Sequence, residues 1–261
     1  AIRRQRQMCI RDSKYSDEFL SMMSVTKMEC NLTIKCVGDC KPKDVIRLFE
    51  RSFAKVTVYK ETDPNGKTHR KPERGITTTK PHEWVLKVYD KTFQQRQAGN
   101  LKVESNLIRV ELVVLDRMLD RMYSSKKSLE DILTRKAIKT LIDQYQETFD
   151  EICKKNITPM LNACVQDVFE TLTQSDSGNE ISNTLIKCKE LIVDIEVLRK
   201  ALKKWYAFRK MSDSSKRMVS YYRNNEKFGL PSDVLKTLKL MHNSFCLLYT
   251  SPSPRDGLLS R

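Results

Sequence analysis

Two short apolar stretches decide the fold: Trp-Val-Leu-Lys-Val-Tyr-Asp-Lys at Trp84–Lys91, and Leu-Ile-Arg-Val-Glu-Leu-Val-Val-Leu at Leu107–Leu115. Both are rich in β-branched residues, a composition typical of strands that pack in the core of a sheet. Because side chains alternate between the two faces of a strand, Lys87, Tyr89 and Lys91 share one face of the first stretch. The first stretch therefore predicts a strand with a tyrosine between two lysines on one face.

Arg109 and Glu111 lie two residues apart in the second stretch and also share a face. If the two strands pair, a tyrosine hydroxyl, three cationic side chains and a carboxylate can converge on one side of the sheet. These groups are the ones needed to cut a phosphodiester through a covalent intermediate. The alternative is structural, with Tyr89 as an ordinary strand residue and Arg109 with Glu111 as an ion pair on one face.

The two ends of the chain have, in our interpretation, a separate origin. Arg3–Asp12 and Cys246–Asp256 can be back-translated into nucleotide stretches that are reverse complements of each other. These stretches match the adapters of transposase-based sequencing libraries. We therefore expect residues 1–12 and 246–261 to be sequencing-adapter artefacts, and we exclude them from the prediction of the fold. The remaining chain is expected to be an internal fragment of a longer protein.

The chain is strongly basic, with 48 Lys and Arg against 33 Asp and Glu and a net charge of +15. The two terminal segments contribute +3 and +1, so the remainder carries +11. Such an excess favours a polyanionic partner, with nucleic acid first and an anionic membrane surface second. No apolar run is long enough to span a bilayer, so we expect no membrane partner.

Six cysteines remain between residues 13 and 245, and their spacing is not that of a disulfide framework. Such a pattern suits a reducing cytoplasm. Cys30, Cys36 and Cys40 could hold zinc, but the close-spaced pair of ligands expected in a zinc site is absent. We interpret these thiols as small hydrophobic residues.

Hydrophobic periodicity divides the chain into two parts. Residues 13–123 contain strand patterns around one amphipathic helix at Lys41–Phe53, and a polar connection through Gly99 joins the two stretches quoted above. After Tyr123 the periodicity is helical, including one long amphipathic stripe from Ile181 to Trp205. We predict an α+β domain over residues 13–123, truncated at its N-terminus, followed by an all-α domain over residues 124–245.

Four motifs in this chain resemble the signatures of rolling-circle replication initiators of phages and plasmids, of the filamentous-phage type. They are Gly75–Thr79, Leu86–Lys91, Leu107–Glu111 and Leu129–Leu133, and the resemblance covers about Gly75–Leu133. In that family a strand with Tyr-Asp-Lys or a close variant precedes a strand with Arg-x-Glu. The resemblance implies an antiparallel-sheet nickase domain and a site-specific endonuclease and strand transferase acting on single-stranded DNA.

The resemblance also implies a role for each residue. Tyr89 would attack the scissile phosphate, leaving a 5′-phosphotyrosyl bond and a free 3′-hydroxyl. Lys87 or Lys91 would stabilise the phenolate, since the pKa of tyrosine is ordinarily about 10. Glu111 would help to bind Mg²⁺ or Mn²⁺, and Arg109 would hold a phosphate in a bidentate manner.

The chain departs from the family in its histidines. Many rolling-circle initiators carry a His-hydrophobe-His metal motif, whereas His69, His82 and His242 stand singly. Three explanations are open: the metal ligands are carboxylates, the motif belongs to a part of the protein upstream of this fragment, or the chain is not a nickase. His82 follows Pro81 and is expected in a loop.

A basic segment in the second half is a candidate DNA contact. Arg199, Lys200, Lys203, Lys204, Arg209 and Lys210 surround three aromatic residues, Trp205, Tyr206 and Phe208. We assign Trp205 to the core because it continues the apolar stripe, and we leave the charges as candidate phosphate contacts.

Two functions from different classes are therefore open. The first is a rolling-circle initiator acting on single-stranded DNA or an origin hairpin, with host replication proteins as further partners. The second is a non-catalytic basic DNA-binding protein for replication or partition. A covalent protein–DNA adduct would separate the two.

Overall fold

The computed structural model describes residues 21–123, 128–132, 134–174, 181–225 and 228–247. These residues form an α+β protein in which an antiparallel sheet is followed by a group of helices, as predicted. The expected adapter segments lie outside the described residues, except that Cys246 and Leu247 continue the last helix.

Seven strands occur among the described residues. They are β1 (Lys27–Lys35), β2 (Thr57–Val58), β3 (Lys60–Thr62), β4 (Thr68–Arg70), β5 (Gly75–Lys80), β6 (Trp84–Asp90) and β7 (Leu107–Leu115). Five of them form one sheet in the order β1-β7-β6-β5-β2, and every neighbouring pair is antiparallel. Strands β3 and β4 form a separate two-stranded hairpin.

Helices make up most of the rest of the described chain. They are α1 (Pro42–Ser52), α2 (Lys91–Gln97), α3 (Asp116–Tyr123), α4 (Leu129–Ile132), α5 (Arg135–Ile152), α6 (Thr158–Thr173), α7 (Ile181–Lys187), α8 (Ile195–Phe208), α9 (Ser215–Asn224) and α10 (Val234–Leu247). A π-helical turn, Cys153–Ile157, joins α5 to α6. None of the helices described here combines the length and apolarity that crossing a bilayer requires.

One face of the sheet forms the hydrophobic core. Leu86 and Val88 in β6 are buried on this face beside Val110 and Leu112 in β7, because the alternation within each strand sends every second side chain to the same side. Helix α1 packs against β5, β6 and β7. The polar side chains of β6 and β7 are thereby directed to the opposite face of the sheet.

The same core continues into the helices. The rings of Phe49 in α1 and Phe149 in α5 lie 6.3 Å apart between centroids. The Tyr145 hydroxyl in α5 donates to the Met28 carbonyl in β1 at 3.1 Å. Cys36 and Cys40 are buried in this core, where a hydrogen bond to Cys40 and burial raise the pKa of the Cys36 thiol.

The prediction of a polar connection without secondary structure after β6 is wrong, because residues Lys91–Gln97 form helix α2. Asp90 ends the strand and caps this helix, since its Oδ1 accepts the Phe93 N–H at 2.9 Å. Glutamine, lysine and arginine favour a helix once it is capped. Asp90 is a residue that favours the N-terminus of a helix, but it also ends a strong strand pattern. The helix was therefore not predicted from the sequence.

The long amphipathic stripe predicted from Ile181 to Trp205 is also interrupted. A short 3₁₀ turn at Lys189–Leu191 separates α7 from α8. Asp194 caps α8 by accepting the Glu196 N–H at 2.7 Å, and it also accepts the Leu235 N–H of α10 at 3.0 Å. Because the second contact comes from a distant helix, periodicity within the stripe could not reveal the break.

Candidate functional site

Two rows of side chains cross the sheet on the face opposite the core. Strand pairing places Tyr89 opposite Arg109 and Lys87 opposite Glu111. The prediction that Tyr89 and Glu111 lie on neighbouring antiparallel strands with both side chains on one face is confirmed. The rows continue onto the two neighbouring strands. Thr33 of β1 lies opposite Arg109, and Gly75 of β5 lies opposite Tyr89.

Glu111 is the centre of this arrangement, and its residue surface is only 5 % exposed. The Tyr89 hydroxyl donates to Glu111 Oε1 at 2.5 Å. Lys87 Nζ lies 3.4 Å from Glu111 Oε2, and Arg109 Nη1 lies 3.7 Å from Oε1. The buried carboxylate is therefore surrounded by one hydroxyl donor and two cations.

Arg109 is held in place but incompletely satisfied. Its Nε donates to Thr33 Oγ1 at 2.7 Å, which fixes the plane of the guanidinium. Its Nη1 is buried and has no hydrogen-bond partner among the described residues. Buried polar groups are almost always hydrogen-bonded, so this nitrogen has a donor available to a ligand, although its charge is already paired with Glu111 at 3.7 Å.

The environment of Tyr89 keeps its hydroxyl protonated. Burial, followed by the hydrogen bond to Glu111 and the charge of Glu111, raises the pKa of Tyr89 to about 12, while Arg109 opposes the shift. At pH 7 this pKa leaves roughly one Tyr89 in 10⁵ as the phenolate. Any attack by Tyr89 therefore requires an acceptor for its proton, and Glu111 is already in contact with that proton.

Lys91 does not occupy the strand position predicted for it. It is the first residue of α2, it is buried, and its Nζ donates to Gln94 Oε1 at 2.5 Å. The same Nζ lies 5.9 Å from the centroid of the Tyr89 ring. Lys91 thus lies near the ring of Tyr89, whereas Lys87 contacts the carboxylate that binds the hydroxyl.

These side chains line a cavity of about 600 Å³, here called the Tyr89 cavity. The sequence did not identify several of its lining residues, which come from four other segments: Glu29, Tyr59, Arg74, Gly75, Phe93 and Gln97. Glu29 Oε2 lies 3.8 Å from Lys87 Nζ, so it extends the charged side of the cavity. The register of β1 and β2 against the sheet was needed to place Glu29 and Tyr59.

A divalent cation at Glu111, expected from the resemblance, does not fit the donors present. The oxygens of Glu111 contact Tyr89, Lys87 and Arg109, and Glu29 is near Lys87. In the part of the chain that the structure describes, no group of three or more His, Cys, Asp or Glu residues could hold a metal ion. Dependence on Mg²⁺ or Mn²⁺ stays a prediction.

The three histidines lie elsewhere. His69 contacts Asp63 at 3.1 Å beside the β3–β4 hairpin, and His242 in α10 contacts Asp150 at 2.5 Å. His82 lies in the turn between β5 and β6 with φ of 62°, as expected for a loop residue.

The basic segment lies on α8 and on the two residues that follow it, and none of its predicted contact residues lines the Tyr89 cavity. Trp205 is buried, and its Nε1 donates to the Leu172 carbonyl at 3.1 Å, so its predicted place in the core is confirmed. Lys200 and Lys203 are exposed. Lys204 donates to Gln166 Oε1, and its Nζ lies 4.6 Å from the centroid of the Phe169 ring.

The structure thus brings together a tyrosine hydroxyl, a buried carboxylate that accepts its hydrogen bond and two cations, one of which has a guanidinium nitrogen without a hydrogen bond among the described residues. No protein-family model, curated protein or solved structure matches the chain.

Proposed function

We propose that the chain is a rolling-circle replication initiator that nicks single-stranded origin DNA with Tyr89 as its nucleophile. The observation that carries the proposal is the 2.5 Å hydrogen bond from the Tyr89 hydroxyl to the buried carboxylate of Glu111. A tyrosine that contacts a proton acceptor and lies beside two cations has the components for covalent attack on a phosphodiester.

In the proposed step, Tyr89 Oη attacks the phosphorus while its proton passes to Glu111 Oε1. The bond from phosphorus to the 3′-oxygen breaks, and that oxygen takes a proton from water. The products are a 5′-phosphotyrosyl bond and a free 3′-hydroxyl. General base assistance is required because the pKa of about 12 leaves almost no phenolate at neutral pH.

Two cations would stabilise the charge that develops on the phosphate. Arg109 Nη1 would donate to a phosphate oxygen and so gain the hydrogen bond that it lacks among the described residues. Lys87 Nζ, 3.4 Å from Glu111, would supply a second positive charge on the same side of the cavity. Dependence of cleavage on Mg²⁺ or Mn²⁺ is part of the test, because the resemblance implies such a cation.

The charge of the chain supports DNA as the partner. The net charge of +11 over residues 13–245 favours a polyanion, and exposed lysines on α8 are suitable phosphate contacts. An initiator of this class would work in the cytoplasm with host replication proteins.

The test uses Tyr89→Phe, which keeps the ring and removes the attacking oxygen. The chain is incubated with a labelled pool of single-stranded oligonucleotides and Mg²⁺ or Mn²⁺, and adducts are resolved on a denaturing gel. We expect the adduct to vanish while DNA binding and the circular dichroism spectrum persist. Tyr221→Phe, at an exposed tyrosine of α9, is the matched control.

Persistence of the adduct in the Tyr89→Phe variant would place the nucleophile elsewhere. Tyr59 would then be the next candidate, since it lines the same cavity.

A second candidate function is a non-catalytic DNA-binding protein for replication or partition. One observation favours it: the pKa of Tyr89 is raised, whereas an activated nucleophile often has a lowered one. In that case the hydrogen bond from Tyr89 to Glu111 is structural. DNA binding without any covalent adduct from the native chain would support this second function.

A further inference from the structure

One side of the Tyr89 cavity takes no part in the chemistry proposed above. It is formed by Tyr59, Phe93 and Gln97, here called the aromatic wall. Tyr59 follows β2, and its N–H donates to the Gly75 carbonyl at 2.8 Å. Gly75 lies directly opposite Tyr89 in the sheet. Tyr59, Gly75 and Tyr89 therefore follow one another across three neighbouring strands.

Gly75 packs closely against Tyr89, and this close approach requires a residue without a side chain. A Cβ at this position would lie 2.8 Å from the Tyr89 Cβ, closer than side chains normally approach. Neighbouring strands are about 4.8 Å apart, so the backbones of Tyr59 and Tyr89 are separated by roughly 10 Å. Both side chains line the Tyr89 cavity.

The ring of Tyr59 is held in a defined orientation although it is 37 % exposed. The Phe93 ring meets it edge to face, with 6.2 Å between centroids. The Tyr59 hydroxyl donates to Gln97 Oε1 at 3.3 Å, and the Arg74 guanidinium lies 4.0 Å from the centroid of Phe93. An exposed ring fixed from two sides is suited to stacking against a planar ligand, because little conformational freedom remains to be lost.

The two sides of the cavity differ in chemistry. The side with Lys87 and Arg109 suits an anion, whereas the aromatic wall suits a flat ring with polar edges. The amide of Gln97 can both donate and accept hydrogen bonds at such an edge. A nucleotide combines these two properties in one ligand.

We propose that the aromatic wall is a nucleobase subsite that stacks the base next to the phosphate bound at Tyr89. The proposal rests on the proposed function, since it takes single-stranded DNA as the ligand. Tyr59 stacks on the base, Phe93 orients Tyr59, and Gln97 contacts the edge of the base. Gly75 and both tyrosines line the same cavity, so one nucleotide can contact Tyr59 and Tyr89 together.

The experiment measures DNA binding in a Tyr89→Phe background, in which Tyr89 cannot form an adduct. The probes are a fluorescein-labelled dodecathymidylate and an abasic strand of the same length, followed by fluorescence anisotropy. We expect Tyr59→Leu to weaken binding of the thymidylate about tenfold, which corresponds to about 1.4 kcal/mol, and to leave binding of the abasic strand unchanged. Tyr59→Phe, which keeps the ring, should retain most of the affinity.

Tyr221→Leu is the control for loss of an exposed tyrosine, and it should change neither affinity. The subsite would be overturned if Tyr59→Leu weakened binding of the thymidylate and of the abasic strand equally, or weakened binding of neither. It would also be overturned if the Tyr89→Phe protein, with Tyr59 unchanged, bound the thymidylate and the abasic strand with equal affinity.

A separate measurement distinguishes failure of the subsite from failure of the proposed function. The covalent adduct is assayed with Tyr59→Leu alone and with the native chain. An adduct from the native chain together with no base-dependent binding rejects the subsite and leaves Tyr89 as the nucleophile. Base-dependent binding that is lost in Tyr59→Leu, without any adduct from the native chain, rejects the nickase and retains the subsite.

Discussion

Replacing Glu111 with glutamine tests the role of the buried carboxylate, because Glu111→Gln keeps the shape of the side chain and removes its capacity to take a proton. In the native protein the carboxylate accepts from the Tyr89 hydroxyl at 2.5 Å, and the pKa of Tyr89 is about 12. General base catalysis contributes about 10²–10⁴-fold to a rate. We therefore expect cleavage to fall by about that factor, equivalent to about 2.7–5.5 kcal/mol in the barrier.

The residual activity of Glu111→Gln should have a distinct pH dependence. Without the carboxylate, only ionised Tyr89 can attack, so the rate should rise about tenfold for each pH unit below the pKa of Tyr89. The assay is single-turnover cleavage of a labelled single-stranded oligonucleotide over a range of pH. Glu104→Gln, at an exposed carboxylate that pairs with Lys35 at 2.8 Å, is the matched control.

The variant must also be shown to fold. Loss of the carboxylate removes a charged hydrogen-bond partner, which typically costs about 1.5–3 kcal/mol of stability. Lys87 is 38 % exposed and Arg109 keeps its bond to Thr33, so we expect the low end of this range. Thermal denaturation followed by circular dichroism measures the loss.

Two results would refute this role for Glu111. Cleavage at the native rate would mean that the proton leaves Tyr89 by another route. Recovery of cleavage at high Mg²⁺ or Mn²⁺ would identify Glu111 as a metal ligand, the role that the sequence resemblance implies.

Three further predictions concern the DNA surface, the strand beside Tyr89 and the ionisation of Tyr89. Replacing Lys200, Lys203 and Lys204 with glutamine should weaken DNA binding and reduce the slope of log affinity against log salt by up to about 2, and an unchanged slope would exclude this face of α8 as a DNA contact. Gly75→Ala should displace the Tyr89 ring, lowering cleavage and costing about 1–3 kcal/mol in urea denaturation, since the new Cβ would lie 2.8 Å from the Tyr89 Cβ. Ultraviolet difference titration of the native chain against Tyr89→Phe should show Tyr89 ionising near pH 12. Because the pKa is raised on folding, the stability that Tyr89 contributes should be complete below pH 10 and lost as pH rises through 12, and a midpoint near 10 would contradict the burial of the hydroxyl.

Alternation within two strands was sufficient to predict the centre of the site. It placed Tyr89, Lys87, Arg109 and Glu111 on shared faces, and antiparallel pairing of adjacent strands then brought them together. The pattern could not show that Glu111 would be almost completely buried, because burial depends on what covers that face of the sheet.

Other parts of the site depended on contacts between distant segments. Tyr59 reaches the cavity through the pairing of β2 with β5, and β2 has only two residues, too few for a clear alternation. The role of Gly75 also required the register, since an isolated glycine at the start of a strand does not reveal which residue lies opposite it. Local patterns therefore predicted the two central strands and missed the part of the site formed by tertiary pairing.

The separation of the hydrophobic core from the polar face of the sheet has a consequence for engineering. Every second residue in the central part of β6 and β7 packs into the core, while Lys87, Tyr89, Arg109 and Glu111 at the intervening positions line the Tyr89 cavity. A saturation library restricted to Lys87, which is 38 % exposed, and to its neighbours at the rim of the cavity would vary ligand binding with little loss of folded protein. A library at the core-facing positions would mainly change the yield of folded protein. Comparing the two libraries would measure whether ligand binding and folding can be varied independently in this sheet.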